Sequence, residues 1–202
     1  MISHFDQDHI SGLMEILENY ERGPAGQNVN GITVKQILIP DLKLEDEKEK
    51  RHMLELAKHF QIPVYQCAKG TELEQDGMHI RVLNPAVQKH YESPNAGSMT
   101  LLVSFQDFSA LLTGDLEGSG EQQAAEALEE NVDVLKVAHH GSRNSSSEEF
   151  LEKAGGTSAV ISCGAGNSYG HPHSELLDRL KRAGYKILRT DQDGMIRFKV
   201  KK

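Results

Sequence analysis

Strand-like runs alternate with helix-like segments over most of the chain, and that alternation admits few architectures. Apolar, β-branched runs at "ITVKQILIP" (32–40), "IPVYQC" (62–67), "MHIRVLNP" (78–85), "SMTLLVSF" (98–105) and "FSALLTGD" (108–115) read as strands. So do "VDVLKVA" (132–138), "SAVISCG" (158–164), "YKILRT" (185–190) and "MIRFKV" (195–200). Helical patterns lie between them, at "ISGLMEILENY" (10–20), 44–60 and 117–131. Ser119 is the expected N-cap of the third. A short helix follows "SSS" in a capping-box pattern and is closed by Gly155, and another spans 173–184. Strands interleaved with helices require sheets covered by helical layers. Two tight connections, Gln106–Asp107 and "DQDG" (191–194), predict hairpins, so the sheets must be mixed and not purely parallel. A length of 202 residues suits one α/β domain over 1–202.

The formal net charge is −8, which argues against broad, passive binding of nucleic acid through Lys and Arg. Bound cations would reverse the local field. No run is long and charge-free enough to cross a bilayer, and no signal-peptide pattern opens the sequence, so the chain as given reads as soluble. Cys67 and Cys163 lie in apolar runs and are expected as reduced, buried thiols.

Chemistry concentrates at the ends of the strands. "SHFDQDHISG" (3–12) places His4, Asp6, Asp8 and His9 within one short turn. Asp115 ends "ALLTGD", His139 and His140 end "VLKVAHH", and His171 and His173 follow "AVISCGAGNSYG". Loops at strand ends are where α/β folds build sites, so these groups can converge on one edge. Imidazole with carboxylate suits Zn, Fe and Mn. One ion can take His4 and Asp6, a second Asp8 and His9, with Asp115 bridging. Each group also has an ordinary alternative. Asp6 or Asp8 can cap the first helix, His139–His140 can be a polar strand end, and "GHPH" a plain turn. Gly12 is expected to let that helix pack closely on a neighbour.

"HFDQDHISG" resembles the first metal motif of the metallo-β-lactamase superfamily, with Asp6 in place of the second His. Together with "NAGSMTLLVSF", "LLTGDLE", "LKVAHHGSRNSSS", "NSYGHPH" and "RTDQDGMIRF", in that order, it is similar to the C-terminal hydrolase-like domain of ComEC/Rec2 competence proteins. The resemblance implies a four-layer αββα sandwich with mixed sheets and a site at one edge. It assigns His4, Asp6, Asp8, His9, Asp115 and His140 to two divalent ions, Mn or Zn. Asp6 makes the set oxygen-rich, which favours Mn over Zn. His139, Asn95, Ser98 and Ser142 fall in supporting positions. "NAGS" stands where the family has its middle His motif. Asp8, His171 and His173 are the expected catalytic groups, the two His at the mouth of the site.

Family members carry further strands with a "GQGDS"-like segment before the first motif, whereas only Met1 and Ile2 precede Ser3 here. The resemblance therefore implies a domain lacking its first strands, with an exposed sheet edge. It also implies a parent protein of the bacterial cell membrane whose channel portion is the partner and DNA the substrate. The expected activity is metal-dependent phosphodiester hydrolysis in DNA uptake. The alternatives are a metallohydrolase of small esters, thioesters or lactams, and a non-catalytic binding domain.

Overall fold

The computed structural model describes residues 1–20, 31–42 and 48–200. The elements, in order, are α1 (Gln7–Glu18), β1 (Ile37–Pro40), α2 (Lys48–His59), β2 (Val64–Cys67), β3 (Glu72–Gln75), β4 (Met78–Asn84), β5 (Thr100–Phe105) and β6 (Phe108–Leu112). They continue with α3 (Gly118–Ala127), β7 (Val134–Lys136), α4 (Glu148–Ala154), β8 (Ser158–Ile161), α5 (Ser174–Arg182), β9 (Lys186–Arg189) and a final turn α6 (Thr190–Asp193). Positions 44–47 of the helix expected over 44–60 lie outside the described residues.

Two sheets form. β1 and β2 pair in parallel, while the larger sheet runs β3-β4-β5-β6-β7-β8-β9. Its first four strands are antiparallel neighbours and its last four parallel ones, so it is mixed. Three apolar clusters define the layers. Ile10 and Leu17 of α1 pack with Ile37 and Ile39 of β1 and Met53 and Ala57 of α2. Leu38 and Cys67, on the opposite face of the small sheet, meet Val82, Met99 and Leu101 of the large one. Beyond it, Leu111 and Leu135 pack with Ala124 of α3, Phe150 and Leu151 of α4 and Leu176 and Leu180 of α5. Helices, sheet, sheet and helices thus succeed one another in four layers, and each fully buried Leu, Ile or Phe contributes roughly 1.5–3 kcal/mol.

The helices follow local rules. In α5 the buried Leu176 and Leu180 are four residues apart, with Glu175 in the first turn and Arg179, Lys181 and Arg182 in the last, complementing the helix dipole. In α4 the Ser147 hydroxyl accepts the Phe150 N–H, and Gly155 closes the helix. Phe150 occupies the third helical position, so no reciprocal Glu completes a capping box. Ser147→Ala is expected to cost about 1 kcal/mol, read as a lower urea midpoint with an unchanged m-value.

Four further sequence expectations need correction. The terminal hairpin does not form, because α6 replaces its turn and residues 195–200 have no regular structure. Asp193 accepts the Arg189 N–H and Asp191 pairs with the Arg189 guanidinium, which curls the chain back. Ser119 is not the cap of α3; that residue is Glu117, and Ser119 donates from its N–H and hydroxyl to Glu92. Gly12 faces open space and makes no close helix contact. Cys163 is half-buried and donates to Asp191, whereas Cys67 is buried; both are free thiols.

The fold assembles one edge. β6, β7 and β8 are parallel, so their C-terminal ends, and the loops holding Asp115, His139–His140 and His171, emerge together. Residues 2 and 3 bridge the two sheets: Ile2 donates to the Leu38 carbonyl at 2.9 Å and Ser3 accepts from Met99 at 2.7 Å. The first motif is thereby fixed against the same edge. No helix among the described residues is long and apolar enough to cross a membrane.

Candidate metal centre

Asp115 follows β6 and is 4% exposed. Four imidazoles aim Nε2 at its carboxylate. His9 lies 3.1 Å from Oδ1; His140, His139 and His4 lie 3.6, 3.8 and 4.0 Å from Oδ2. The motif carboxylates divide between them. Asp6 Oδ2 is 3.6 Å from His4 Nε2, while Asp8 Oδ2 is 3.0 Å from His140 Nε2 and 3.5 Å from His9 Nε2. Ligand atoms of Asp8, His9, Asp115 and His140 all lie within 4.8 Å of one another. Asp6 begins α1 without a side-chain cap, so helix capping does not occupy its carboxylate.

The donor atoms fit divalent cations. His140 Nδ1 sits 2.8 Å from the Ser162 carbonyl oxygen, which can only accept, so Nδ1 carries the proton. In the neutral ring Nε2 is then a bare lone pair, facing Asp8 Oδ2 and, at 3.3 Å, His9 Nε2. His4 Nε2 is buried without a hydrogen-bond partner. Lone pairs gathered this closely repel unless positive charge lies among them. A divalent ion supplies that charge, and mixed imidazole–carboxylate donors suit such ions.

Electrostatics prepare the donors. Burial, reinforced by His9, pushes His4 down to about 4 against the pull of Asp115, Asp6 and Asp8, which keeps it neutral and able to ligate at pH 7. Burial pushes the Asp115 carboxyl up, but His9, Lys136 and His140 outweigh it and hold the group well below the usual carboxylate range. Lys136 is itself lowered by burial and donates to the Gly114 carbonyl at 2.9 Å. Burial, then His173 and His139, lower His171.

Comparison with known proteins gives this geometry its kinship. No family model matches the chain. ComE operon protein 3 of Bacillus subtilis is 34% identical over 202 residues, 100% of this chain and 24% of that protein. Recombination protein 2 of Haemophilus influenzae is 32% identical over 197 residues, 98% of this chain and 21% of that protein. The chain is a homologue of the ComEC-type competence proteins. It spans less than a quarter of the length of both relatives. Among solved structures, the metallo-β-lactamase fold protein YhfI of Bacillus subtilis superposes with a TM-score of 0.55 at 13% identity, over 93% of this chain and 71% of that one. CmlA, a diiron β-hydroxylase from Streptomyces venezuelae, gives 0.55 at 13% identity over 93% of this chain and 42% of that one. The fold is therefore the metallo-β-lactamase fold.

The supporting positions also gather at the centre. Ser98 Oγ accepts the Asp115 N–H at 3.2 Å and lies 3.4 Å from His4 Nδ1. Asn95 Nδ2 is 3.5 Å from His139 Nδ1. Asn84, buried, donates to the Ala96 and Ser98 carbonyls and so holds the "NAGS" turn. Ser142 donates its N–H to the His139 carbonyl and stays within its loop. That loop is anchored by Glu121, which accepts the N–H groups of Ser146 and Ser147. The two outer histidines part company. His171 lines a cleft of about 480 Å³ with Asp6, Asp8, Asp115, His139 and His140. His173 does not line it; its Nδ1 accepts the Arg143 N–H at 3.1 Å, although its ring lies 4.8 Å from that of His171.

Sequence reasoning missed Ser3, whose hydroxyl lies 3.1 Å from both His4 Nδ1 and His9 Nδ1. Its position directly before the motif was the available signal. It also missed Glu117, 3.7 Å from His139 Nδ1, although "TGDLE" contains it.

Proposed function

We propose that this chain is a metal-dependent phosphodiesterase acting on DNA, with two divalent ions, Mn or Zn, at the cleft. The ring of four imidazole nitrogens around one buried carboxylate carries the reading. Asp8, His9, Asp115 and His140 would hold one ion. His4, Asp6 and Asp115, with His139 beside them, would hold the other. Such ions, when bound, supply Lewis acidity, a water of lowered pKa and positive charge for a phosphorane-like transition state.

The protein's own groups do the rest. The Ser162 carbonyl fixes the His140 tautomer, and the Ser3 hydroxyl orients His4 and His9 from behind. Of the two outer histidines, His171 is the better proton-transfer group for a leaving oxygen, because His173 is engaged by the Arg143 N–H. Kinship with ComEC-type proteins supports DNA as the substrate and a membrane channel portion as the partner in a longer parent protein.

The test is turnover of single-stranded DNA and of a chromogenic phosphodiester by purified protein, beside a panel of ester, thioester and lactam substrates. Activity with Mn or Zn is expected, with loss of at least about a hundredfold after EDTA treatment and recovery on adding metal back. Turnover confined to the ester panel would move the substrate class. Fewer than one tightly bound ion per chain without turnover would favour a binding domain.

A further inference from the structure

The cleft wall contains a residue that metal chemistry does not use. Tyr169 lines the cleft and is 78% exposed, although it is a large aromatic side chain. Its ring stacks on that of His171, with centroids 5.8 Å apart and planes 22° from parallel. The His171 ring stands edge-on to His139, at 5.8 Å and 76°, so the pair forms a step leading from solvent to the Asp115 cluster.

The loop holds this ring out. Asn167 bridges the turn, donating to the Gly164 and His171 carbonyls at 2.9 and 2.6 Å and accepting the His171 N–H at 3.0 Å. Tyr169 is thus presented by a braced loop with one face on His171. An aromatic ring of this exposure gives up burial that a polar residue would not forgo. Its remaining surface is free to stack.

Among the described residues, no Lys or Arg lines this cleft. Lys136, beside Asp115, is directed at the Gly114 carbonyl. Nucleic-acid grooves ordinarily combine cationic side chains with aromatic platforms. Here the cationic half falls to the ions, and Tyr169 remains to grip a base. We propose that Tyr169, backed by His171, is a stacking platform for one unpaired nucleobase next to the phosphodiester held at the metal centre. This rests on the phosphodiesterase reading of the cleft and adds to it a substrate form. The platform accepts a single strand or frayed end whose bases are unstacked, and it excludes intact duplex, whose base faces are covered.

The experiment measures binding separately from turnover. A dye-labelled, hydrolysis-resistant phosphorothioate oligothymidylate, an abasic strand of equal length and a duplex are titrated by fluorescence anisotropy with the Mn-loaded protein. Oligothymidylate is expected to bind at least about fivefold tighter than the abasic strand, the low end of the effect of one stacked base. Tyr169→Ala should bring that ratio close to one, and Tyr169→Trp should retain it. The ratio cancels any general loss of folding or metal. Equal ratios in the wild type and Tyr169→Ala, no preference in the wild type, or no binding of either strand would each overturn the proposal. Base preference without hydrolysis of the unmodified strands would sink the phosphodiesterase reading and leave the platform standing. Hydrolysis of the chromogenic diester without base preference would do the reverse.

Discussion

Asp115→Asn is expected to empty the metal centre while leaving its walls in place. Asn has the same shape, and the backbone N–H at 115 keeps its bond to the Ser98 hydroxyl, so the turn after β6 is retained. What disappears is the one anion that all four imidazole Nε2 atoms face, at 3.1 to 4.0 Å. An amide offers a weaker oxygen donor and, on its other branch, an NH2 group that cannot ligate. Both ions share that carboxylate in the proposed arrangement, so one substitution weakens both. Phosphodiester turnover should fall by ~10³-fold, the scale of the several kcal/mol that bound ions supply. Elemental analysis should show loss of bound metal. Thermal unfolding gives an independent reading, because a ligand that binds only the folded state raises the midpoint with its concentration. Mn should raise the wild-type midpoint and leave that of Asp115→Asn unmoved. Full metal retention by the variant would mean that Asp115 is not shared between the ions.

The parts of this design legible in the sequence are those that obey a period or a spacing. The strands at "ILIP", "MTLLVSF" and "FSALL" announce themselves by continuous or alternating apolar residues. The convergence of Asp115, His139 and His140 follows from their places after successive parallel strands. Elements fixed by partners elsewhere were hidden. β3 reads "ELEQ", too polar to announce a strand, and exists because β4 supplies its ladder from Met78 to Arg81. The segment 195–200 has strand composition, yet the side chains of Asp191 and Asp193 turn the chain before it can pair. His171 and His173 are indistinguishable by spacing. The cleft, which His171 lines, and the Arg143 N–H, carried by a different loop to His173, set them apart. Ser3 stood beside the motif, but the role of its hydroxyl depends on α1 folding His9 back beside His4, with ring centroids 4.2 Å apart.

The second large effect is expected at Gly141, where backbone conformation and metal geometry meet. His139, His140 and Gly141 follow one another at φ values of 49, 51 and 93°. Two histidines in the left-handed region already cost of order 1–3 kcal/mol each, and they persist because their surroundings hold them. Gly141 is part of that support, since its carbonyl accepts the His173 N–H at 3.0 Å. A Cβ there would stand 2.5 Å from Pro172 Cβ, 2.9 Å from Pro172 Cα and 3.3 Å from Ile161 Cγ2. The two Pro172 atoms belong to backbone and ring and cannot rotate away, so the turn or the Pro172 segment must shift. Either shift disturbs the centre: the turn carries His140, whose Nδ1 is tied to Ser162, and the Pro172 segment carries His171. Gly141→Ala should therefore lose about 2–4 kcal/mol of stability in urea unfolding, and metal affinity with it. Gly170→Ala separates the causes, because its φ is 72° but no atom lies within 4 Å of the new Cβ. It should lose only the left-handed penalty, about 1–2 kcal/mol. Equal losses in the two variants would show that contact with Pro172 carries no weight. A larger loss at Gly141, accompanied by weakened metal binding, would tie the strained histidine turn to the metal centre it serves.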